Sequence, residues 1–116
     1  MSDAGGLSPA EAVDRQVDAY NARDVEAFAA CYAEDLVIVD ASGEELTRGR
    51  SQLREQYGRW FSRNPELHVE IVSRIEIGAF VVDAERVSGT PDDDIQAVAI
   101  YHVDDAGLID RVQFLP

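Results

Sequence analysis

The chain has no lysine: all ten of its basic residues are arginine. Schiff-base chemistry through a lysine amine is therefore excluded. The absence itself reads as a trace of genomic base composition. A single cysteine, Cys31, rules out an internal disulfide and a cysteine-based metal cluster. It lies in an alanine-rich helical segment and reads as a packed apolar residue. The two histidines, His68 and His102, have no partner at metal-ligand spacing, so no metal site is expected. Nor is there a glycine-rich phosphate loop. Ser51, Ser88 and Thr47 lack the context of a nucleophile elbow or triad, and the run Asp104 to Gly107 lacks the later ligands of an EF-hand. No cofactor is expected. No stretch approaches the ~18 apolar residues of a membrane span. Met1 to Ser8 lacks the basic start and apolar run of a secretory signal. A soluble cytoplasmic protein is the expectation.

Positive charge is also scarce. Against 23 acidic residues the ten arginines leave a net charge of −13. Nucleic acid and anionic membrane surfaces both require clustered cations, so neither is an expected partner. The same field disfavours anionic substrates and tolerates neutral or cationic ones. What the chain does have is a globular composition, 46% hydrophobic and 28% charged. Its 116 residues suit one domain, expected over 8–116 after a disordered start at 1–7.

Ser8, Pro9 and Glu11 form a helix entry with N-cap, first-turn proline and capping box. Val13, Val17 and Tyr20 continue it as one apolar stripe. Asp24 can cap a second helix, striped by Val25, Phe28 and Tyr32. A strand is expected from Leu36 to Asp40, then a turn at Gly43 and an extended piece around Leu46 and Thr47. Leu53, Tyr57, Trp60 and Phe61 mark a third helix, stopped by Asn64 and Pro65. Beyond Pro65 the period becomes two. Leu67, Val69, Ile71, Ile75 and Ile77 alternate with His68, Glu70, Arg74 and Glu76 as a half-buried strand. Strands over 80–88, 95–103 and 108–115 follow, with connections short enough for antiparallel hairpins. The expected class is α+β: a curved, cone-shaped antiparallel sheet wrapped over three N-terminal helices. Val72, Val81, Val98 and Ile100, alternate to the core set, are expected on an apolar outer face that serves a homodimer.

The segments YNARDVEAFAACYAEDLVIVDASG (20–43), RGRSQLREQY (48–57) and AIYHVDDAGLIDRVQF (99–114) resemble the nuclear transport factor 2-like superfamily. That group includes ketosteroid isomerases and SnoaL-like polyketide cyclases, and the likeness runs from about Glu11 to Leu115. It implies a cone-shaped pocket between helices and sheet. Against ketosteroid isomerases it places Asp40 at the general base and Tyr57 in the oxyanion network. Gln16 and Ala99 stand where that chemistry needs a tyrosine and a protonated aspartate. Losing one preorganised oxyanion donor costs roughly 10²–10³ in rate, so steroid isomerisation itself is not expected. The histidine and acid that cyclase-like members carry on the last strand correspond to Val112 and Phe114.

Asp40 keeps two readings: a strand-end carboxylate bonded into its turn, or a desolvated base in an apolar cone. Under the second, Asp40, Tyr57 and Gln16 are the catalytic set. Tyr20, Trp60, Tyr101, Val112 and Phe114 then shape a site for a small apolar or neutral organic ligand. Arg86 shares parity with Phe80, Val82 and Ala84, one of two candidate inward faces, where it would pair with Asp40. The other face of that strand carries Asp83 and Glu85. Three functions fit: an acid–base enzyme of isomerase, cyclase or lyase type, a non-catalytic binding module, and a dimerisation domain with a filled cavity.

Overall fold

The computed structural model describes residues 7–92 and 94–116. The expected disordered start therefore lies, over residues 1–6, outside the described residues, as does Asp93 of the acidic turn. Helix α1 (Pro9–Asn21) begins as its sequence dictates. The Ser8 hydroxyl accepts from the Glu11 amide at 3.2 Å, and the Glu11 carboxylate accepts from the Ser8 amide at 2.9 Å. Asp24 caps the short helix α2 (Val25–Ala29) by accepting from the Ala27 amide at 3.1 Å. Tyr32, read above as the end of that helix's stripe, instead opens strand β1 (Tyr32–Val39). Strand β2 (Glu45–Arg48) and helix α3 (Arg50–Arg63) follow, and Asn64 ends α3 as expected.

Strands β3 (His68–Ile77), β4 (Phe80–Ser88), β5 (Ile95–Val103) and β6 (Ile109–Leu115) complete one six-stranded sheet in the order β2-β1-β6-β5-β4-β3. The β3 to β6 meander is antiparallel, as the short connections require. The β1–β6 pair is parallel, a junction that hairpin reasoning does not anticipate. The helices lie against one face, and Val13, Phe28, Leu36, Leu53, Val81 and Val112 are among the buried residues of the shared core. No described helix is long and apolar enough to cross a membrane.

Two features of the sheet differ from the period-two reading. A bulge in β3, where the pairing passes from Ile71–Glu85 to Ser73–Ala84, reverses the alternation. Ile75 and Ile77, read as core, are therefore 59% and 68% exposed, and Arg74 turns inward. On β4 the inward face is Val81, Asp83, Glu85 and Val87, not Phe80, Val82, Ala84 and Arg86. Val81, expected outside, is fully buried, and Arg86 meets Glu70 at 3.6 Å on the exposed side, far from any role beside Asp40.

Asn21 ties the helical layer to the sheet edge. Its side chain donates to the Val69 carbonyl at 3.1 Å and accepts from the Val69 amide at 2.7 Å. The loop after β4 closes on the entry to β3 at Gly89. Its φ is +83°, and a Cβ there would sit 2.0 Å from the Glu66 carbonyl oxygen. Gly78 has φ +57° but open space around it. Gly78→Ala is expected to cost about 1–2 kcal/mol, the penalty of the left-handed region alone. Gly89→Ala should exceed it by at least ~2 kcal/mol, because backbone must move as well. Denaturant midpoints at constant m-value check this, and equal losses would contradict the contact.

Candidate functional site

All nine elements contribute to a cavity of about 420 Å³ between helices and sheet. The volume suits a ring-sized organic molecule. Its wall holds seven aromatic side chains and one charged group, Glu85. Leu46, exposed on β2, belongs to the same lining and marks its solvent side. The hollow exists in part because Ala97 stands opposite Glu85 in the β4–β5 ladder, leaving room above the carboxylate.

Glu85 is 8% exposed. Its Oε2 accepts from the Tyr101 hydroxyl at 2.9 Å. Behind Tyr101 stands a directed chain: the Gln16 amide nitrogen donates to the Tyr101 oxygen at 3.2 Å, and the Tyr32 hydroxyl donates to the Gln16 amide oxygen at 3.0 Å. Every hydrogen in this chain points toward Glu85. Among the described residues Oε1 has no hydrogen-bond partner, and it is not sealed off as a buried orphan, so it opens onto the cavity.

Burial pushes the Glu85 carboxyl up to about 7. The Tyr101 hydrogen bond opposes that rise, Asp83 adds to it, and Arg74 opposes it. Asp83, two residues earlier on the same face, is fully buried and neutralised by Arg74. The guanidinium makes two bonds to it, at 2.7 and 3.0 Å, and a third at 2.7 Å to Asp14 of α1. Two neighbouring carboxylates thus have opposite fates: one is locked in an ion pair and the other is left to exchange its proton.

Two further hydroxyls face the hollow. Tyr20 accepts from the Trp60 indole at 3.0 Å, so its own hydrogen remains to be donated. Burial pushes its hydroxyl up to about 12 and raises that of Tyr57 as well, so both stay protonated donors. Tyr57 has no hydrogen-bond partner among the described residues, yet its oxygen is not sealed in the core. The rings stand 6.4 Å apart, edge to face.

The structure brings together most residues singled out from the sequence: Gln16, Tyr20, Tyr57, Trp60, Tyr101 and Phe114 all line the cavity. Val112 does not line it; it is packed in the core. Gln16 lines it with both ends of its amide engaged, so it orients Tyr101 and keeps one amide hydrogen that makes no bond among the described residues. Asp40 lies outside the lining altogether. Its Oδ1 accepts from the Ser42 amide at 2.9 Å, the Ser42 hydroxyl at 2.7 Å and the Glu44 amide at 3.0 Å. The Ser42 hydroxyl bond, then the Glu44 amide, holds its carboxyl below the ordinary value. This is the turn reading of Asp40, and a carboxylate so satisfied is a poor base. Glu85 is the residue that the sequence reading passed over. Among the described residues no group of three or more histidine, cysteine or acidic side chains is arranged to hold a metal.

The model of the SnoaL-like domain family matches residues 13–112. No curated protein matches the chain. Among solved structures, an uncharacterised cystatin-fold protein from Novosphingobium aromaticivorans is 25% identical with a TM-score of 0.89, covering 96% of this chain and 100% of that one. A candidate polyketide cyclase from Sinorhizobium meliloti has a TM-score of 0.77 at 19% identity, covering 90% and 93%. An LEH-like epoxide hydrolase from M. tuberculosis has a TM-score of 0.77 at 20% identity, covering 93% and 81%. The last two likenesses show the fold alone.

A group whose folded pKa is raised from 4.5 to about 7 binds its proton more tightly in the folded state. Its contribution to stability is present below pH ~4.5 and is lost as pH rises through about 7. Glu85→Gln, which keeps the shape without the charge, should therefore unfold at a higher temperature than the native chain at pH 8. The gain should be up to about 3 kcal/mol and should vanish near pH 4.5. A wild-type minus variant difference that is flat with pH would refute the buried, proton-exchanging carboxylate.

Proposed function

The chain belongs to the SnoaL-like domain family, and from that premise we propose that it is an acid–base enzyme acting on a small organic substrate without negative charge, with Glu85 as the proton-exchanging group. The observation that carries this reading is a carboxylate with one free oxygen, held in an aromatic cavity and poised near neutral pH. Glu85 takes a proton from the substrate and returns it, in a reaction of isomerase, cyclase or lyase type. Tyr57 and Tyr20 donate to the substrate oxygen where charge develops. Gln16 and Tyr32 act through Tyr101, fixing the carboxylate's rotamer. A candidate polyketide cyclase and an epoxide hydrolase on the same fold support acid–base chemistry in such a cone. A non-catalytic binding module would use the same walls with no proton transfer to the substrate.

The test is a panel of small carbonyl compounds and epoxides, with and without amino groups. On any substrate turned over, Glu85→Gln should lower kcat by roughly 10²–10⁴, and Tyr57→Phe should lower it too. Asp40→Asn should leave it within about twofold, as expected for a group spent on its turn. Loss of activity in the Asp40 variant with retention in the Glu85 variant would reverse the assignment.

We also propose that two copies pair through the outer sheet face. The β3 bulge turns Ile75 and Ile77 outward beside Phe80, in rows continued by Val82 and Ile100. Monomeric soluble proteins rarely leave such a contiguous apolar patch to water. Sedimentation should give a dimer for the native chain and a monomer for Ile75→Glu combined with Ile77→Glu. A native monomer at high concentration would end the proposal.

A further inference from the structure

The cavity holds one negative group and, among the described residues, no arginine in its wall. Arg74 is spent on Asp83 and Asp14. The groups facing Glu85 are Gln16 and Tyr20 of α1, Tyr32 of β1, Tyr57 of α3 and Tyr101 of β5, with Asp83 beside it on β4 and Arg74 beyond on β3. None of them is a cation directed at Oε1. The rest of the wall is apolar apart from Thr47 and Gln56: the rings of Phe28, Trp60 and Phe114 stand among aliphatic side chains such as Ile38, Val69 and Val87. An anionic oxygen in a hollow lined by aromatic rings and aliphatic side chains is an arrangement that recognises an organic ammonium. The ammonium donates to the oxygen and its hydrocarbon body lies against the rings, whose faces attract positive charge. The net charge of −13 favours entry of the same class of molecule.

We propose that the substrate or ligand of this cavity carries a basic nitrogen, bound as an ammonium ion against Oε1 of Glu85. The inference rests on Glu85 being the cavity's exchangeable carboxylate. The proton step it implies is balanced and needs no co-reactant: the ammonium gives one proton to the carboxylate, leaving a neutral amine and a carboxylic acid. Two buried charges are removed at once. The freed nitrogen lone pair then lies in the same hollow as the Tyr20 and Tyr57 hydroxyls, which hold the substrate oxygen.

Trp60 is the chain's only tryptophan and lines the cavity, so its fluorescence reports occupancy without a label. The probes are benzylamine, benzyl alcohol and benzoate, which share a ring and differ in charge. At pH 7.5 benzylamine should bind at least tenfold tighter than benzyl alcohol, and benzoate weakest. Below pH ~7 benzylamine affinity should fall about tenfold per unit as Glu85 takes up its proton, while that of benzyl alcohol stays level. Glu85→Gln should abolish both the preference and the pH dependence. Equal affinities for amine and alcohol overturn the inference, as does a preference that survives in Glu85→Gln or no quenching by ~20 mM benzylamine. A carbon-13 NMR titration of Glu85 separates the failures. A midpoint near 7 with no amine preference sinks the ammonium alone. An ordinary carboxylate midpoint sinks the acid–base reading with it.

Discussion

The ion pair between Arg74 and Asp83 is the constraint on which the cavity depends. Asp83 has no exposure, and a carboxylate in that position needs a cation with good geometry to offset its lost hydration. Arg74 supplies two parallel bonds and then reaches α1 through Asp14, so one guanidinium fastens the edge strand, its neighbour and the first helix together. Breaking such a pair typically costs about 3–5 kcal/mol, since the remaining charge stays buried. Pairing of Val81 with Tyr101 and of Asp83 with Ala99 sets which face of β4 looks inward, and the ion pair makes the burial of Asp83 there tolerable. A slip of one residue would expose Asp83 and Glu85 and bury Arg86 without a partner.

Glu85 and Asp40 show how environment, not residue type, sets a carboxylate's proton affinity. Asp40 accepts three hydrogen bonds from its own turn and favours its charged form. Glu85 accepts one, in a place where water is scarce, and favours its neutral form. The directed chain from Tyr32 through Gln16 to Tyr101 restrains the glutamate without neutralising it. A second full donor on Oε1 would stabilise the charged form and lower its proton affinity.

Local signals were legible in the sequence. The caps at Ser8 and Asp24, the stripe Leu53–Tyr57–Trp60–Phe61 and the end of α3 at Asn64 depend on neighbours in the chain, and they stand where the pattern puts them. The cone and most of its aromatic lining follow from the family resemblance and from the inward parity of Tyr101. The rest depends on partners distant in sequence. The β3 bulge is set by pairing with β4, so the alternation continued past Val72 points Ile75 and Ile77 the wrong way. On β4 one face is apolar and the other acidic, and polarity alone sends the acids to solvent. Yet a usable signal existed. In a β4–β5 hairpin that pairs Val81 with Tyr101 and Asp83 with Ala99, an inward Tyr101 forces Asp83 and Glu85 inward too. The parity of one strand determines that of its neighbour, and it outranks the hydropathy of either.

The same bulge links the two faces of the sheet. By reversing the alternation at Val72 it turns Arg74 in to hold Asp83, and in the same step it turns Ile75 and Ile77 out to form the apolar outer rows. An uninterrupted β3 would bury the two isoleucines, leave Arg74 in solvent and strand Asp83 in the core. The buried ion pair and the unpartnered outer face are therefore not independent: the residue count that secures one exposes the other. The exposed isoleucines are the structural cost of securing Asp83, and covering them with an equivalent face would return the apolar burial that the bulge gives up.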